Sequence, residues 1–369
     1  MNIKMILTNG FEPDVRVYKE AKYLKENGYN IEILCWDRKC LSDVETLETI
    51  EGINIRRFKF KSIPGTGIKQ IGSYLKFIFA CKNYLNENKY DYLHCHDLDG
   101  IIVGKFANVK KRKLIFDMHE YYEGQVRKTS INKYLTKILV KYMHNISDKI
   151  IYINDTQIKN ISIKNKKKLV FIPNYPVKEN FSQTKIKSNK MRIGYAGNIR
   201  RYDILKILFD AVKENEHIEV SIYGEGNDYK KLKNIENNYT NVEINGKFNG
   251  IKDSRTIYEN MDLQYAVYDN SVNNWKTSFP VKLFESIVSN TPVVVSKGTM
   301  IENFVIENDI GYVVEWNNFD NIKKVINSIS KENKDFLTKK DNLKKLSSRY
   351  SWEDIVNNMK EIYRESDKQ

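Results

Sequence analysis

The chemistry this sequence could do gathers in a few short stretches. The run Ser278-Phe279-Pro280-Val281-Lys282-Leu283-Phe284-Glu285 sets a proline, a lysine and a glutamate at the start of an amphipathic segment. Pro280 is pre-organised for a first helical turn, so the spacing predicts a helix over 280–289, opening after a loop over 273–279. Such an N-terminus offers free N–H groups and a partial positive charge, which suit a diphosphate. Lys282 falls in the first turn. Glu285 follows Pro280 by five residues, roughly 7.5 Å along the axis, about the offset from a nucleotide's phosphates to its ribose hydroxyls, which a carboxylate can accept as donors. The plainer reading is a Lys282–Glu285 surface pair at i, i+3 worth about 0.3 kcal/mol, and the residues alone leave both readings open.

A second stretch, Gly194-Tyr195-Ala196-Gly197-Asn198-Ile199-Arg200-Arg201, runs out of a predicted strand. Glycines let backbone approach a ligand, and Arg200 and Arg201 carry fixed forks of donors suited to a diphosphate. Tyr223-Gly224-Glu225-Gly226-Asn227 and Asn245-Gly246-Lys247 hold equivalent positions after later strands. Gly224 and Gly226 lack the third glycine of the dinucleotide fingerprint, and Met5–Gly10 lacks the pattern altogether, which disfavours NAD.

Three of the five histidines fall near predicted strand ends, in His94-Cys95-His96-Asp97 and His119-Glu120. His94 lies within its strand and reads as packed core. His96 either caps the next helix alongside Asp97 or faces a ligand. His119 follows the apolar run 114–118 where a buried site would open, and histidine is a poor choice for pure packing there, so a functional role is favoured. Asp97-Leu98-Asp99 has the spacing of a metal-and-diphosphate element. It opens a helix, where carboxylates complement the dipole, and no further carboxylate or histidine cluster is visible beside it, so no metal is expected.

The elements that must hold these stretches alternate. Strands are predicted over 4–8, 30–36, 92–96, 114–119, 149–154 and 169–173, with helices over 15–27, 68–86 and 132–146. Near-continuous apolar strands separated by helices imply a parallel sheet covered on both faces. Ligands then collect beyond the carboxyl ends of the strands. From 177 to 190 the pattern lapses into a polar, aperiodic linker. A second alternation follows, with strands near 192–196, 219–223, 242–245, 263–267, 292–296 and 311–314. The expected domains are 1–176 and 191–350, with a C-terminal helix over 351–369, capped by Ser351, packing back on the first.

Bulk composition fits two folded domains: 369 residues, 41% hydrophobic and 29% charged. Four cysteines without metal spacing read as reduced thiols. The N-terminal apolar run is too short for a signal peptide, and no run of 18 apolar residues occurs, so the chain is expected to be cytoplasmic. A net charge of +14 implies an anionic partner or, equally, a compositional bias. Over 131–143, Ile131, Tyr134, Leu135, Ile138, Leu139 and Tyr142 share one face and Lys133, Lys137 and Lys141 another. Core packing under a solvated basic face is the default reading, and peripheral binding to an anionic membrane is the alternative.

Phe279–Glu285 followed by Asn290-Thr291-Pro292-Val293-Val294-Val295-Ser296 resembles the donor motif of glycosyltransferase family 4, retaining enzymes of the GT-B fold. Tyr195-Ala196-Gly197-Asn198, Val170-Phe171-Ile172-Pro173-Asn174, His94-Cys95-His96-Asp97-Leu98 and Phe116-Asp117-Met118-His119-Glu120 resemble that family in the same order. The resemblance implies two Rossmann-like doubly wound α/β domains facing a central cleft. It implies transfer of a hexose-type sugar from a nucleotide diphosphate sugar to a glycan or lipid-linked saccharide, with retention, no metal and no cofactor beyond the donor. His119, Arg200, Arg201 and Lys282 are then the catalytic candidates. Gly10, Gly197, Asn198, Gly224, Ser278, Phe279, Pro280, Val281 and Glu285 are the donor-binding candidates, and Arg16, His96, Asp97 and Glu120 lie on the acceptor side. Thr277 stands where the family's first glutamate is usual, Pro280 replaces a glycine, and Asn290 replaces a glycine at the helix end, a change a left-handed cap tolerates. A nucleotide-sugar epimerase of the same architecture is the alternative enzyme. A basic nucleic-acid-binding protein is disfavoured, because the positive charge is scattered and no RNA or DNA motif accompanies it.

Overall fold

The computed structural model describes residues 1–12, 14–40, 46–63, 67–122, 131–159 and 161–363. They divide into two units, one of Met1–Pro173 with Val356–Gln369 and one of Asn174–Ile355.

The first unit is built on strands β1 (Asn2–Leu7), β2 (Asn30–Asp37), β3 (Thr46–Ile50), β4 (Ile53–Lys59), β5 (Tyr92–His96), β6 (Lys113–Asp117), β7 (Lys149–Tyr152) and β8 (Leu169–Phe171). Among the described residues they form one sheet in the order β3-β4-β2-β1-β5-β6-β7-β8, parallel except for the antiparallel pair β3–β4. Helix α1 (Val15–Glu26) starts at Asp14, whose carboxylate accepts from the N–H groups of Arg16 and Val17. Helices α2 (Ile71–Glu87), α3 (Asp97–Ala107) and α4 (Ile131–Ile146) contribute Phe77, Cys81, Leu85, Ile101, Ala107 and Met143 to one core shared with Leu34, Leu93 and Phe116 of the sheet. Register sets His96 directly beside Asp117 across β5 and β6. Strand order reverses between β1 and β5, the crevice where open α/β sheets place ligands.

The second unit has β9 (Met191–Ala196), β10 (Ile218–Tyr223), β11 (Val242–Gly246), β12 (Leu263–Ala266), β13 (Val293–Ser296) and β14 (Gly311–Val314), all parallel, in the order β11-β10-β9-β12-β13-β14. Its switch point lies between β9 and β12. Helix α5 (Tyr202–Val212) follows β9 and α6 (Val281–Val288) precedes β13.

Several boundaries differ from the sequence reading, each for a physical reason. The stretch read as a linker, 177–190, belongs to the second unit: Phe181 is buried edge-on against Tyr258, Ile186 N–H donates to the Glu259 carbonyl, and Arg255 donates to the Glu179 carbonyl. One buried aromatic anchors an otherwise polar segment, which a composition scan does not register. The expected C-terminal helix is broken into Trp352–Ile355, a 3₁₀ turn over Val356–Met359, and Lys360–Tyr363, with the division between units falling after Ile355. Its remainder, 364–369, lies outside the described residues, as does the side chain of Ile131. The core-facing side of α4 also differs from the expected one. Val140, Met143 and His144 enter the core, while Tyr134, Leu135, Ile138 and Tyr142, read by default as core, stand exposed.

Candidate functional site

At the switch point of the second unit a cavity of about 150 Å³ is lined by Tyr195 of β9, Asn198, Arg200 and Arg201 of the following loop, Val267 and Tyr268 after β12, Trp275, and Lys282 of α6. Of this lining the sequence points to Asn198, Arg200, Arg201 and Lys282, and it misses Tyr268 and Trp275, which no motif marked.

The loop after β9 needs its glycines. Gly197 has φ 145° and a Cβ there would lie 2.8 Å from Lys282 Nζ, so its missing side chain is what admits the ammonium. Gly224 serves packing: a Cβ on it would come 1.9 Å from the Gly197 carbonyl oxygen, so it lets one loop rest on the other. Lys282 Nζ is 3.3 Å from Tyr268 Oη and 4.1 Å from the centre of the Tyr195 ring. Burial alone would lower its pKa, but the phenols of Tyr195 and Tyr268 outweigh that and hold it above the ordinary lysine value. Among the described residues no carboxylate pairs with it. The cation is fixed in place without being neutralised.

The two arginines separate. Arg201 donates to Asp203 and Asp269, tying the loop after β9 to the loop after β12. Those bonds, to Asp203 first, raise its pKa against the opposing effect of burial. Arg200 is exposed and makes no hydrogen bond or ion pair among the described residues. Its guanidinium is available.

Helix α6 starts at Pro280, which sits at the cap position with φ −70° and ψ 147° rather than inside the first turn, and no side chain caps it. The N–H groups of Val281 and Lys282 are therefore left open to a ligand, while that of Leu283 donates to the Pro280 carbonyl at 3.0 Å. Leu283, Phe284, Ile287 and Val288 face the core, and Asn290 closes the helix at φ 54°, the left-handed cap expected of it. Lys282 turns to the tyrosines and Glu285 accepts from buried Tyr258 Oη at 2.8 Å, so each is oriented separately. Phe279 stacks on Phe284 and meets Phe304 edge-on, making it a packing residue. Ser278 ends the short helix Asn273–Thr277, and Val281 is exposed.

The first unit holds a denser polar cluster. Asp117, fully buried, accepts from Arg16 at both oxygens (2.7 and 2.9 Å), and its Oδ2 also lies 3.0 Å from His96 Nδ1 and 3.0 Å from His119 Nε2. Burial raises the Asp117 pKa, but Arg16 and His119 outweigh it and keep the carboxyl ionised. Asp97 takes φ 63°, a left-handed turn that aims its carboxylate at His119 Nδ1 (3.4 Å) and Tyr122 Oη (2.8 Å). Burial opposes charge on His119, yet Asp97 and Asp117 prevail and push its pKa up to about 9. At neutral pH it is an imidazolium between two carboxylates.

His96 is at the cap position of α3, but its side chain makes no capping bond and faces Asp117 instead. Arg16 spends its donors inside the protein, on Asp117 and the Ile172 carbonyl. Glu120 is exposed and Gly10 lies in the loop after β1, away from any close backbone approach. Sequence reasoning missed Asp117 and Glu20. The signal for Asp117 was its place two residues before His119, a carboxylate inside an apolar strand. Glu20, His94, His96 and Asp117 bring one atom each within 4.8 Å, a cluster invisible in sequence because it comes from three elements. Arg16 holds both oxygens of Asp117 and lies 3.2 Å from Glu20, so a guanidinium already supplies the positive charge that a metal would bring to such a group.

Two family models match consecutive parts of the chain. Residues 14–174 match the one described as Glycosyltransferase Family 4, and residues 176–348 the one described as Glycosyl transferases group 1. An uncharacterized glycosyltransferase of Methanocaldococcus jannaschii is 24% identical over 161 residues, covering 43% of this chain and 44% of that protein, less than half of either. Sucrose-phosphate synthase from Thermosynechococcus elongatus is similar in structure with a TM-score of 0.73 at 15% identity, over 99% of this chain and 98% of that one. Anabaena HepE in complex with UDP and glucose matches with a TM-score of 0.66 at 14% identity, over 97% of each chain. At these identities the likeness is one of fold, two Rossmann-like parallel-sheet domains of the GT-B type.

Proposed function

The chain belongs to glycosyltransferase family 4, and from that premise we propose that it moves a hexose-type sugar from a nucleotide diphosphate sugar to a glycan or lipid-linked saccharide. The observation that carries the donor half is the cavity at the second unit's switch point, where Arg200 is unpaired and Lys282 is fixed beside Gly197 and the open end of α6. Breaking the bond from the anomeric carbon to phosphate leaves negative charge on the leaving group. Arg200, Lys282 and the α6 N–H groups supply preorganised positive charge for it, so the reading needs no metal. Glu285, oriented by Tyr258, takes the ribose hydroxyls. His119 faces the sugar as a cation, with its long contact to Asp97 the one a sugar hydroxyl replaces, and the acceptor oxygen bonds to the anomeric carbon on the face the phosphate leaves, giving its proton to the departing phosphate oxygen. That the solved relative HepE holds UDP and glucose supports a nucleotide-sugar donor. Thermal-shift measurement against UDP-, GDP- and ADP-sugars tests this: one base class raises the melting temperature, since at about 100 times Kd a ligand adds about 2.7 kcal/mol. No shift with any of the three at millimolar concentration sinks the donor reading.

The same reading places the enzyme in the cytoplasm, on the inner face of an anionic membrane. No helix among the described residues is long and apolar enough to cross one. Support comes from α4, where Tyr134 and Leu135 are 68% and 54% exposed and Ile138 and Tyr142 stand beside them, with Lys133, Lys137 and Lys141 and no acidic residue on the helix. Ile71, Leu75 and Phe79 of α2 and Phe106 of α3 are exposed too, on helices that cover the same core as α4. Apolar side chains for the acyl boundary beside lysines for acidic headgroups fit a bilayer surface. Flotation with phosphatidylglycerol vesicles is expected to carry the protein upward and phosphatidylcholine vesicles to leave it behind. Leu135→Glu with Ile138→Glu should weaken the partition at least about tenfold, from the lost apolar burial. Indifference to lipid charge, or an unchanged double variant, removes the membrane from the reading.

A further inference from the structure

A chain of side chains links the C-terminal segment to His119. Tyr363, 1% exposed, packs its ring against Tyr29 and Tyr92 and sets its hydroxyl 2.7 Å from His94 Nδ1. The fully buried His94 ring stacks on His96 at 4.4 Å, and its other nitrogen, Nε2, points to Glu20 (3.8 Å) and Asp117 (3.9 Å). His96 Nδ1 and His119 Nε2 then meet on the Asp117 oxygen.

Electrostatics selects the tautomer. With a proton on Nδ1, His94 would turn its Nε2 lone pair toward two carboxylates. With the proton on Nε2, a donor dipole faces them, and Nδ1 must then accept from the tyrosine. A buried phenol with carboxylates nearby keeps its proton, so Tyr363 can donate. The remaining charged and titratable groups facing His94 are Arg16 and Glu20 of α1, with His96, Asp117 and His119 beyond them. None of these makes a hydrogen bond or ion pair at Nδ1 among the described contacts. Tyr363 alone, among the described contacts, holds that atom.

We propose that Tyr363 is a positioning residue: by donating to His94 Nδ1 it keeps the Nε2–H of His94 turned toward Glu20 and Asp117, and so tunes the carboxylate that grips His119. Without the hydroxyl, Nδ1 loses its donor, the carboxylates alone are left to favour the Nε2–H form, and the opposite tautomer gains population. The positive end of its dipole leaves the carboxylates, the potential at Asp117 becomes more negative, and the His119 cation is held more tightly. The C-terminal eight described residues, Val356–Tyr363, are then part of the site's electrostatics as well as of the unit's packing. The relevance to sugar transfer rests on the reading that His119 faces the sugar.

Nitrogen NMR of the full chain tests it without any substrate, because only five histidines report. The wild-type spectrum should show His94 as a neutral ring protonated at Nε2. In Tyr363→Phe, which keeps the ring packing, the His94 signals should move toward the other tautomer and the His119 midpoint should rise by about 0.5 unit or more. Tyr92→Phe, which removes the hydrogen bond from the Tyr92 hydroxyl to the Tyr363 carbonyl but leaves the Tyr363 hydroxyl in place, should leave both unmoved, and buried His144 of the same unit serves as a reference for the fold. A wild-type His94 protonated at Nδ1 overturns the proposal even if Tyr363→Phe does not fold. So does a His119 midpoint that Tyr363→Phe leaves unmoved. Either result is independent of donor binding, so the failure of this inference and of the proposed activity can be told apart.

Discussion

Replacing Asp117 with asparagine is expected to destabilise the first unit by about 3–5 kcal/mol, the range for breaking a buried ion pair while its partner stays buried. Arg16 is 6% exposed and donates to both Asp117 oxygens, and an amide can accept at only one of its two positions. The guanidinium would be left in low dielectric, with Glu20 at 3.2 Å its remaining counter-charge. The two histidines that meet on Oδ2 would also face an N–H where an acceptor stood. Urea denaturation of the first unit should show the loss as a lowered midpoint at unchanged slope. Glu48→Gln is the comparison. It removes an exposed carboxylate from Arg57 on the β3–β4 hairpin and should cost under about 1 kcal/mol, because solvent screens that pair. Equal losses in the two variants would mean that Asp117 is not the centre of the cluster.

The parallel strands were legible because burial on both faces writes itself into sequence as runs such as Val293-Val294-Val295. Strands β3 and β4 left no such trace. Thr46–Ile50 is an edge strand, mostly exposed, and its polar residues read as loop; in Ile53–Lys59 the alternation of Ile53 and Ile55 is broken by Arg56-Arg57 before Phe58. Helix α4 shows the opposite limit. Its apolar stripe was visible, but periodicity says only that a face is apolar, not what covers it. The exposed side chains of Tyr134 and Leu135 are a property of the packed unit.

The candidate sites divide along the same line. Local geometry, such as the helix opening at Pro280 or the left-handed Asn290, followed from residue type. Partnerships between distant elements did not. Arg200 and Arg201 are neighbours of one type in sequence, and what distinguishes them is Asp269, 68 residues away and brought alongside by the pairing of β9 with β12. Tyr363 and His94 are 269 residues apart. A resemblance to a family carries motif positions across, but Glu20 and Tyr363 sit outside every motif.

That difference between the arginines produces the second large expected effect. Lys282→Ala and Arg200→Ala should each weaken nucleoside diphosphate binding by about 10- to 100-fold, the equivalent of one hydrogen bond to a charged group at about 1.5–3 kcal/mol. Titration calorimetry with the diphosphate identified by the donor screen reads this directly. Arg201→Ala should behave otherwise. Its donors are already engaged by Asp203 and Asp269, so its loss should loosen the joint between the loops after β9 and β12 and lower thermal stability, with a smaller change in affinity. The Arg201 side chain is 29% exposed, which limits that stability loss to about 1 kcal/mol. Lys282→Arg separates charge from shape. Gly197 leaves room for a slim ammonium beside its α-carbon, and a planar guanidinium is too broad for the gap between the Tyr195 ring and that backbone. The arginine variant should therefore bind nearly as poorly as the alanine variant. If it binds like wild type, charge alone suffices at this position and the fit of Lys282 against Gly197 has no part in holding the donor.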